Sequence, residues 1–378
     1  MSFQSILQNA EELSQQFSQR TSRFEDEQHF PFKNFEELKE KEFHALTIPK
    51  QYGGHGLNLH EFLSIQEVIA KGDSATALCL GWHLGSLLEI AETGAWNEDM
   101  FQKLCESIVG GKCLINRAAT EPATGSPTRG GMPQTTAVRH GETWVLNGRK
   151  SFTSMAVALD YSLVTARIGD SDKKGVFLVD HSLEGISIEE TWNMISMQGT
   201  RSDDLYLNNV SIPSHFLVEE EGDQTNYAFP KAWLLHIPAC YLGIAGAARE
   251  YAIDFAKTYS PNSLPGPIKI VPEVQRKVGE MELEYYKCKQ MLYAVADKWV
   301  SFPDERHSMG AELAAVKHIV TNGANKIVDI AMRIVGAKSL SQDNPLQRYF
   351  RDVRAGLHNP PMDDSVISLL AKSVLDEK

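Results

Sequence analysis

The chain has 378 residues, too long for one ordinary core and suited to two or three domains. At 42% hydrophobic and 23% charged it can bury sizeable cores, which argues against a disordered chain. Its formal net charge of −12 argues against nucleic acid or an anionic membrane as a main partner, while leaving room for local basic pockets.

Residues 1–115 read as helices. The stretch SILQNAEELSQQFSQRTSRFEDE has helical periodicity with polar outer positions, and NLHEFLSIQEVIAKGDSATALCLGWHLGSLLEIAETG reads as two further helical segments. Between them IPKQYGGHGLN, from Ile48 to Asn58, marks a glycine turn. The polar N-terminus has no basic stretch followed by an apolar one, and no apolar run reaches the roughly 18 residues of a membrane span. The five cysteines (Cys79, Cys105, Cys113, Cys240 and Cys288) are scattered without a C-x-x-C pair, which predicts reduced, buried thiols in a cytoplasmic protein.

Residues 116–215 change character. TTAVRHGETWVLNGRKSFTS predicts a strand, a tight turn at His140-Gly141-Glu142, a second strand, and another turn at Asn147-Gly148. YSLVTARIG, KGVFLVDHS, ISIEET and DDLYLNNVSIP add short strands, so a small antiparallel β-domain is expected. Residues 216–378 return to long amphipathic helices, with small residues in GIAGAA that permit close packing, which predicts a helical bundle. Near the end, RDVRAGLHNPPMDD (Arg351 to Asp364) breaks a helical region with two prolines.

Five motifs occur in this order: IPKQYGGHG; ATEPATGS at Ala119 to Ser126; WVLNGRKSFTS at Trp144 to Ser154; MQGTRSDDLYLNNVSIP; and RIVGAKSLSQDNPLQRYFRDVRAG. Together they resemble the acyl-CoA dehydrogenase superfamily of flavoproteins over essentially the whole chain. The resemblance implies an α+β architecture: an N-terminal helical domain, a central β-domain and a C-terminal four-helix bundle. It also implies flavin contacts from Thr120, Gly125, Ser126, Phe152 and Ser154, with FAD as cofactor and FMN as the alternative. Phe152 stands where the family usually has Trp, and Ser154 where it usually has Thr. In the bundle the family's Gln-x-x-Gly-Gly reads RIVGA, with Arg333 replacing Gln, Gly336 kept and Ala337 replacing the second Gly, and the resemblance implies that Arg333 contacts a flavin phosphate. Tyr259 stands near the position of another phosphate-binding Arg.

The family's catalytic carboxylate sits at one of two places, and here these hold Pro360 and Trp233. Neither can accept a proton. Asp363 and Asp364 follow Pro360 and most simply open the last helix. A branch of the superfamily with flavin monooxygenase activity instead places two histidines and a serine about the flavin, which here would be His83, His358 and Ser154. The readings are therefore an acyl-CoA α,β-dehydrogenase, a two-component monooxygenase using reduced flavin and O2, and a non-catalytic acyl-CoA-binding or scaffold protein. The resemblance further implies a homodimer or homotetramer served by an electron-transfer flavoprotein or a flavin reductase. No metal site is expected.

Overall fold

The computed structural model describes residues 1–21, 29–125, 130–221 and 229–376. Its first part holds α1 (Phe3–Ser18), α2 (Phe32–Glu40), α3 (Leu59–Gly72), α4 (Ser74–Thr93) and α5 (Glu98–Gly111). Short polar residues start the last three. Asn58 and Glu61 form a reciprocal capping box on α3, the Asp73 side chain accepts from Thr76 N, and the Asn97 side chain accepts from Met100 N. Each satisfies an amide that the first helical turn leaves free. Helix α4 is buried around most of its circumference, and Gly94 in the left-handed region ends it.

The β-domain contains β1 (Ile115–Ala118), β2 (Thr136–His140), β3 (Thr143–Thr153), β4 (Tyr161–Ile168), β5 (Lys174–Asp180), β6 (Ile186–Glu189), β7 (Asp203–Pro213) and β8 (Leu217–Glu220). They form one sheet in the order β6-β7-β3-β2-β4-β5-β8, with β1 also paired to β4. Most pairs are antiparallel, but β4 takes β1 and β2 as parallel partners. The turn at Gly141 is where the sequence predicts it, with φ +61°. Asn147-Gly148 is not a turn. It lies inside β3, where the register against β7 shifts between Leu146 and Gly148. A β-carbon at Gly148 would come within 2.4 Å of Thr135 Oγ1, so this glycine serves a bulge and a close approach.

The C-terminal part holds α6 (His236–Thr258), α7 (Pro272–Ser301), α8 (Gly310–Val335), α9 (Pro345–Ala355) and α10 (Asp363–Leu375). The main apolar core is shared by α1–α4 and the bundle, so N- and C-terminal helices fold on one another. Gly243 makes this possible, since a β-carbon there would stand 2.4 Å from Glu67 O of α3. The buried Glu67 carboxylate then receives Tyr285 Oη at 2.8 Å, Tyr293 Oη at 2.6 Å and Lys289 Nζ at 2.9 Å, tying α3 to α7. A second core joins α4 and α5 to β1, β4 and β5, and a third fills the sheet. All five cysteines are free. Among the described residues no helix is long and apolar enough to cross a membrane, and no group of His, Cys, Asp or Glu is arranged to hold a metal.

Candidate active site

Strand β3 ends in a strained backbone. Phe152 has φ +56° and Met155 φ +55°, a region non-glycine residues avoid. Between them Ser154 turns its hydroxyl inward, 7% exposed, to 2.9 Å from Ser202 Oγ. Ser202 Oγ lies 2.8 Å from Thr200 Oγ1, which donates to Met197 O at 2.9 Å. A hydroxyl has one proton. Since Thr200 spends its proton on Met197, Ser202 donates to Thr200 and Ser154 donates to Ser202. Ser154 is then left with free lone pairs. Reversing the chain would give Ser154 a free proton only by breaking the bond from Thr200 to Met197, so with that bond in place the relay presents lone pairs to a donor.

Beside the relay, the Phe152 ring is 56% exposed and its edge meets Trp192, with centroids 5.7 Å apart. Met194 and Ile195 are exposed next to Trp192 in sequence. Thr120 accepts Ser151 N through its carbonyl at 2.9 Å, which lays the start of the TEP turn along the end of β3. Gly125 closes that turn with φ +63° and donates its amide to Glu121 O at 2.8 Å. Ser126 lies outside the described residues. Glu121 anchors the turn from within. Its carboxylate accepts from Lys150 Nζ at 2.6 Å, Gln134 N at 2.6 Å and Thr135 N at 3.1 Å. Burial works to raise this carboxyl, but the Lys150 ammonium and the two amides overcome it and hold it below its ordinary range.

Ser202, and neither of the two histidines expected beside Ser154, is the hydrogen-bond partner of its hydroxyl. His83 is fully buried in α4, where its Nδ1 accepts from Ile115 N at 3.0 Å and its Nε2 donates to His44 O at 2.8 Å. Both ring nitrogens are used by backbone, and burial pulls the imidazole down to about 4. Its role is to pin β1 to α4. His358 is exposed on the loop after α9. The neighbouring Asn359 does the anchoring, accepting from Tyr241 Oη at 2.6 Å. What does reach the relay is Asp352, 2% exposed: it accepts Met197 N at 2.7 Å and Ser74 Oγ at 2.7 Å, joining α9, α4 and the turn before β7. Burial raises its carboxyl.

Pro360 stands in the loop and Trp233 is buried in the turn before α6. Asp363 does not cap α10, where Met362 holds the cap position. Its carboxylate reaches across to α8 instead, with His318 Nδ1 at 3.1 Å, Asn322 Nδ2 at 3.1 Å and Lys317 Nζ at 4.0 Å. Arg333 is exposed at the end of α8 and paired with Asp329 at 2.7 Å, and Gly336 follows as the cap with φ +74°. They belong to the bundle end where Lys338 Nζ lies 4.3 Å from the centre of the Tyr259 ring, and not to the relay.

Sequence reading passed over His236, the first residue of α6. It is fully buried, stacked parallel on Trp233 with centroids 5.9 Å apart. The available signal was the pair Gly81 and Gly85 in LGWHLG, one helical turn apart. A β-carbon on Gly81 would stand 2.3 Å from His236 Nδ1, and one on Gly85 would stand 2.6 Å from Trp233 Cε3.

Three family models match the chain: the acyl-CoA dehydrogenase N-terminal domain over residues 4–111, the middle domain over 116–210 and the C-terminal domain over 235–359. The chain is 50% identical over 365 residues to "Putative acyl-CoA dehydrogenase YdbM" of Bacillus subtilis, covering 96% of this chain and 95% of that protein. Its fold is similar to butyryl-CoA dehydrogenase from Megasphaera elsdenii, with a TM-score of 0.88 at 20% identity, covering 99% and 98% of the two chains. It is also similar in fold to dibenzothiophene monooxygenase from Paenibacillus sp. A11-2, with a TM-score of 0.85 at 19% identity over 98% and 97%. That monooxygenase has also been solved with FMN bound.

Proposed function

Because this chain belongs to the acyl-CoA dehydrogenase family, we propose that it is a flavin-dependent oxidoreductase that dehydrogenates an acyl-CoA thioester across its α,β-bond. The observation that carries the redox reading is the hydroxyl relay ending at Ser154. The exposed Phe152 ring, backed by Trp192, offers the flat apolar wall an isoalloxazine needs. Ser154 offers beside it a hydroxyl oxygen with lone pairs free to accept a hydrogen bond. These residues fit a flavin, FAD in the first instance and FMN as the alternative. A bound flavin supplies the hydride acceptor.

The chain's own contribution is positional. Glu121 and Lys150 fix the TEP turn, Thr120 and Gly125 bring backbone up to the end of β3, and Asp352 holds Met197 and thereby the relay. Arg333 and Gly336 serve a flavin of a second copy, so the working form is a homodimer or homotetramer. Electrons leave to an electron-transfer flavoprotein in the cytoplasm.

A second reading rests on a specific observation: neither Pro360 nor Trp233 can take the α-proton. It is a monooxygenase that uses reduced flavin from a partner reductase and O2. The backbone engagement of both His83 nitrogens weighs against it. Anaerobic addition of acyl-CoAs to the flavin-loaded protein separates the two. Bleaching of the visible flavin band supports dehydrogenation. A flavin that stays oxidised with every acyl-CoA, while the reduced protein consumes O2, overturns it.

A further inference from the structure

Helices α3, α4 and α6 enclose a group of buried polar atoms that the fold leaves unmatched. Neither ring nitrogen of His236 has a hydrogen-bond partner among the described residues, nor has Trp233 Nε1 or Gln66 Oε1. His236 and Gln66 are fully buried and Trp233 is 4% exposed. His236 Nδ1 and Gln66 Nε2 both lie within 2.6 Å of the same point beside Gly81, so the two side chains are neighbours. The surrounding polar atoms are matched: Gln66 Nε2 donates to Ala77 O at 2.7 Å, Ser86 Oγ to Trp82 O at 2.7 Å, and both nitrogens of His83 are used. Packing here is therefore not loose. Interiors rarely keep polar atoms unpaired, and a cluster of them asks for a partner from outside the chain.

The surroundings define that partner. His236 is ringed by Phe62 at 6.3 Å, Trp82 at 4.7 Å and Trp233 at 5.9 Å between centroids, and by Gly81. None of these carries a charge. Burial holds the imidazole uncharged, pulled down to about 3, so it presents one N–H and one lone pair. Protonation would leave an imidazolium with no acid beside it, which disfavours a base. An ionised ligand group would be stranded in the same way. Of the four rings, Trp82 is the one that reaches solvent, and it meets both Trp233 and His236 in T-shaped contacts. On the other face of α4, Cys79 Sγ lies 3.7 Å from the carbonyl of Thr200, the last hydroxyl of the relay.

We propose that His236, with Trp233 and Gln66, forms a recognition site for an uncharged hydroxyl or carbonyl group, and that Trp82 forms its door. The inference rests on the acyl-thioester reading above, under which the recognised group is carried on the substrate's acyl part. His236 is then a specificity-determining residue that selects among acyl-CoAs. A site built to bond a hydroxyl rejects the analogue lacking it more strongly than an apolar pocket rejects an added hydroxyl.

The test uses the flavin-loaded protein and pairs of acyl-CoAs of matched chain length, one of each pair bearing a terminal hydroxyl. Dissociation constants are read from the ligand-induced change in the flavin spectrum. For one chain length the hydroxylated member is expected to bind about tenfold tighter or more. The preference is expected to vanish in His236→Phe, to persist in part in His236→Gln, and to shrink in Trp233→Phe, which keeps an aromatic ring and removes the N–H with part of the indole. Thermal melts confirm that each variant is folded, and Trp233→Phe carries the test if His236→Phe is not. Response to plain acyl-CoAs without preference at any length overturns the inference alone, as does a preference that survives loss of the imidazole or is undiminished by loss of the indole N–H. Silence from every acyl-CoA overturns the proposed substrate class and the inference with it.

Discussion

A β-carbon on Gly81 would stand 2.3 Å from Nδ1 of His236, so α4 and the first residue of α6 meet through an atom that only glycine lacks. Gly81→Ala must displace the buried imidazole. Overpacking of this kind costs about 1–3 kcal/mol, more than the gain of up to about 1 kcal/mol from placing alanine in a helix. Gly279→Ala, on the exposed face of α7 with nothing within 4 Å, is the control and is expected to stabilise. Urea unfolding of the pair checks the sign of each change.

His83→Ala is expected to act on stability. It empties a core position and leaves Ile115 N and His44 O without partners, at a cost of about 2–4 kcal/mol. His358→Ala, at an exposed loop position, is expected to change stability by less than about 0.5 kcal/mol. A His358→Ala variant that unfolds as readily as His83→Ala would contradict the assignment.

Glu121→Gln leaves the Lys150 ammonium buried without its carboxylate, which costs about 3–5 kcal/mol. Replacing both, as Glu121→Leu with Lys150→Met, is expected to recover only part of that loss, because no buried charge is left over but the amides of Gln134 and Thr135 lose their acceptor. Thermal unfolding of the two variants reads the difference.

Burial pulls His44 and His83 down to about 4 and His236 to about 3, from 6.5. Each is lower in the folded protein than in the unfolded chain. The stability they contribute is therefore complete above about pH 6.5 and is lost as pH falls toward 4, on the order of 3 kcal/mol per histidine at most. Glu121, also held low when folded, adds to the loss further into acid. Denaturant midpoints measured from pH 7.5 down to pH 4.5 are expected to fall steadily. A flat profile would contradict the buried, uncharged histidines.

The order helical, β, helical was legible because period and turn chemistry are local, and the Gly141 hairpin followed from three adjacent residues. Gly148 was not legible as a bulge, because its reason is Thr135, the residue just before the neighbouring strand β2. The parallel partners of β4 likewise depend on pairings distant in sequence. Ser154 was found through its motif, yet its partners Ser202 and Thr200 lie nearly fifty residues on, and only the fold joins them. His83 drew attention as a histidine in an apolar helix, while the glycines on either side of it carried the message about His236. Asp363 looked like a cap, and its bonds to α8 show that a first-turn acid can serve tertiary packing instead.

Removing the end of the relay is expected to weaken the flavin site without unfolding the protein. Ser154→Ala deletes one hydroxyl and is expected to reduce flavin affinity about fivefold to tenfold. Ser202→Ala, which breaks the relay behind it, is expected to act in the same direction and less strongly. Fluorescence titration of the flavin-free variants measures both.

The most direct test of the account is the anaerobic titration of flavin-loaded protein with acyl-CoAs of increasing chain length. The account predicts that at least one of them bleaches the visible flavin absorbance, with the matching enoyl-CoA recovered as product. A flavin that remains oxidised throughout, in a protein that oxygenates a substrate when supplied with reduced flavin and O2, would contradict it.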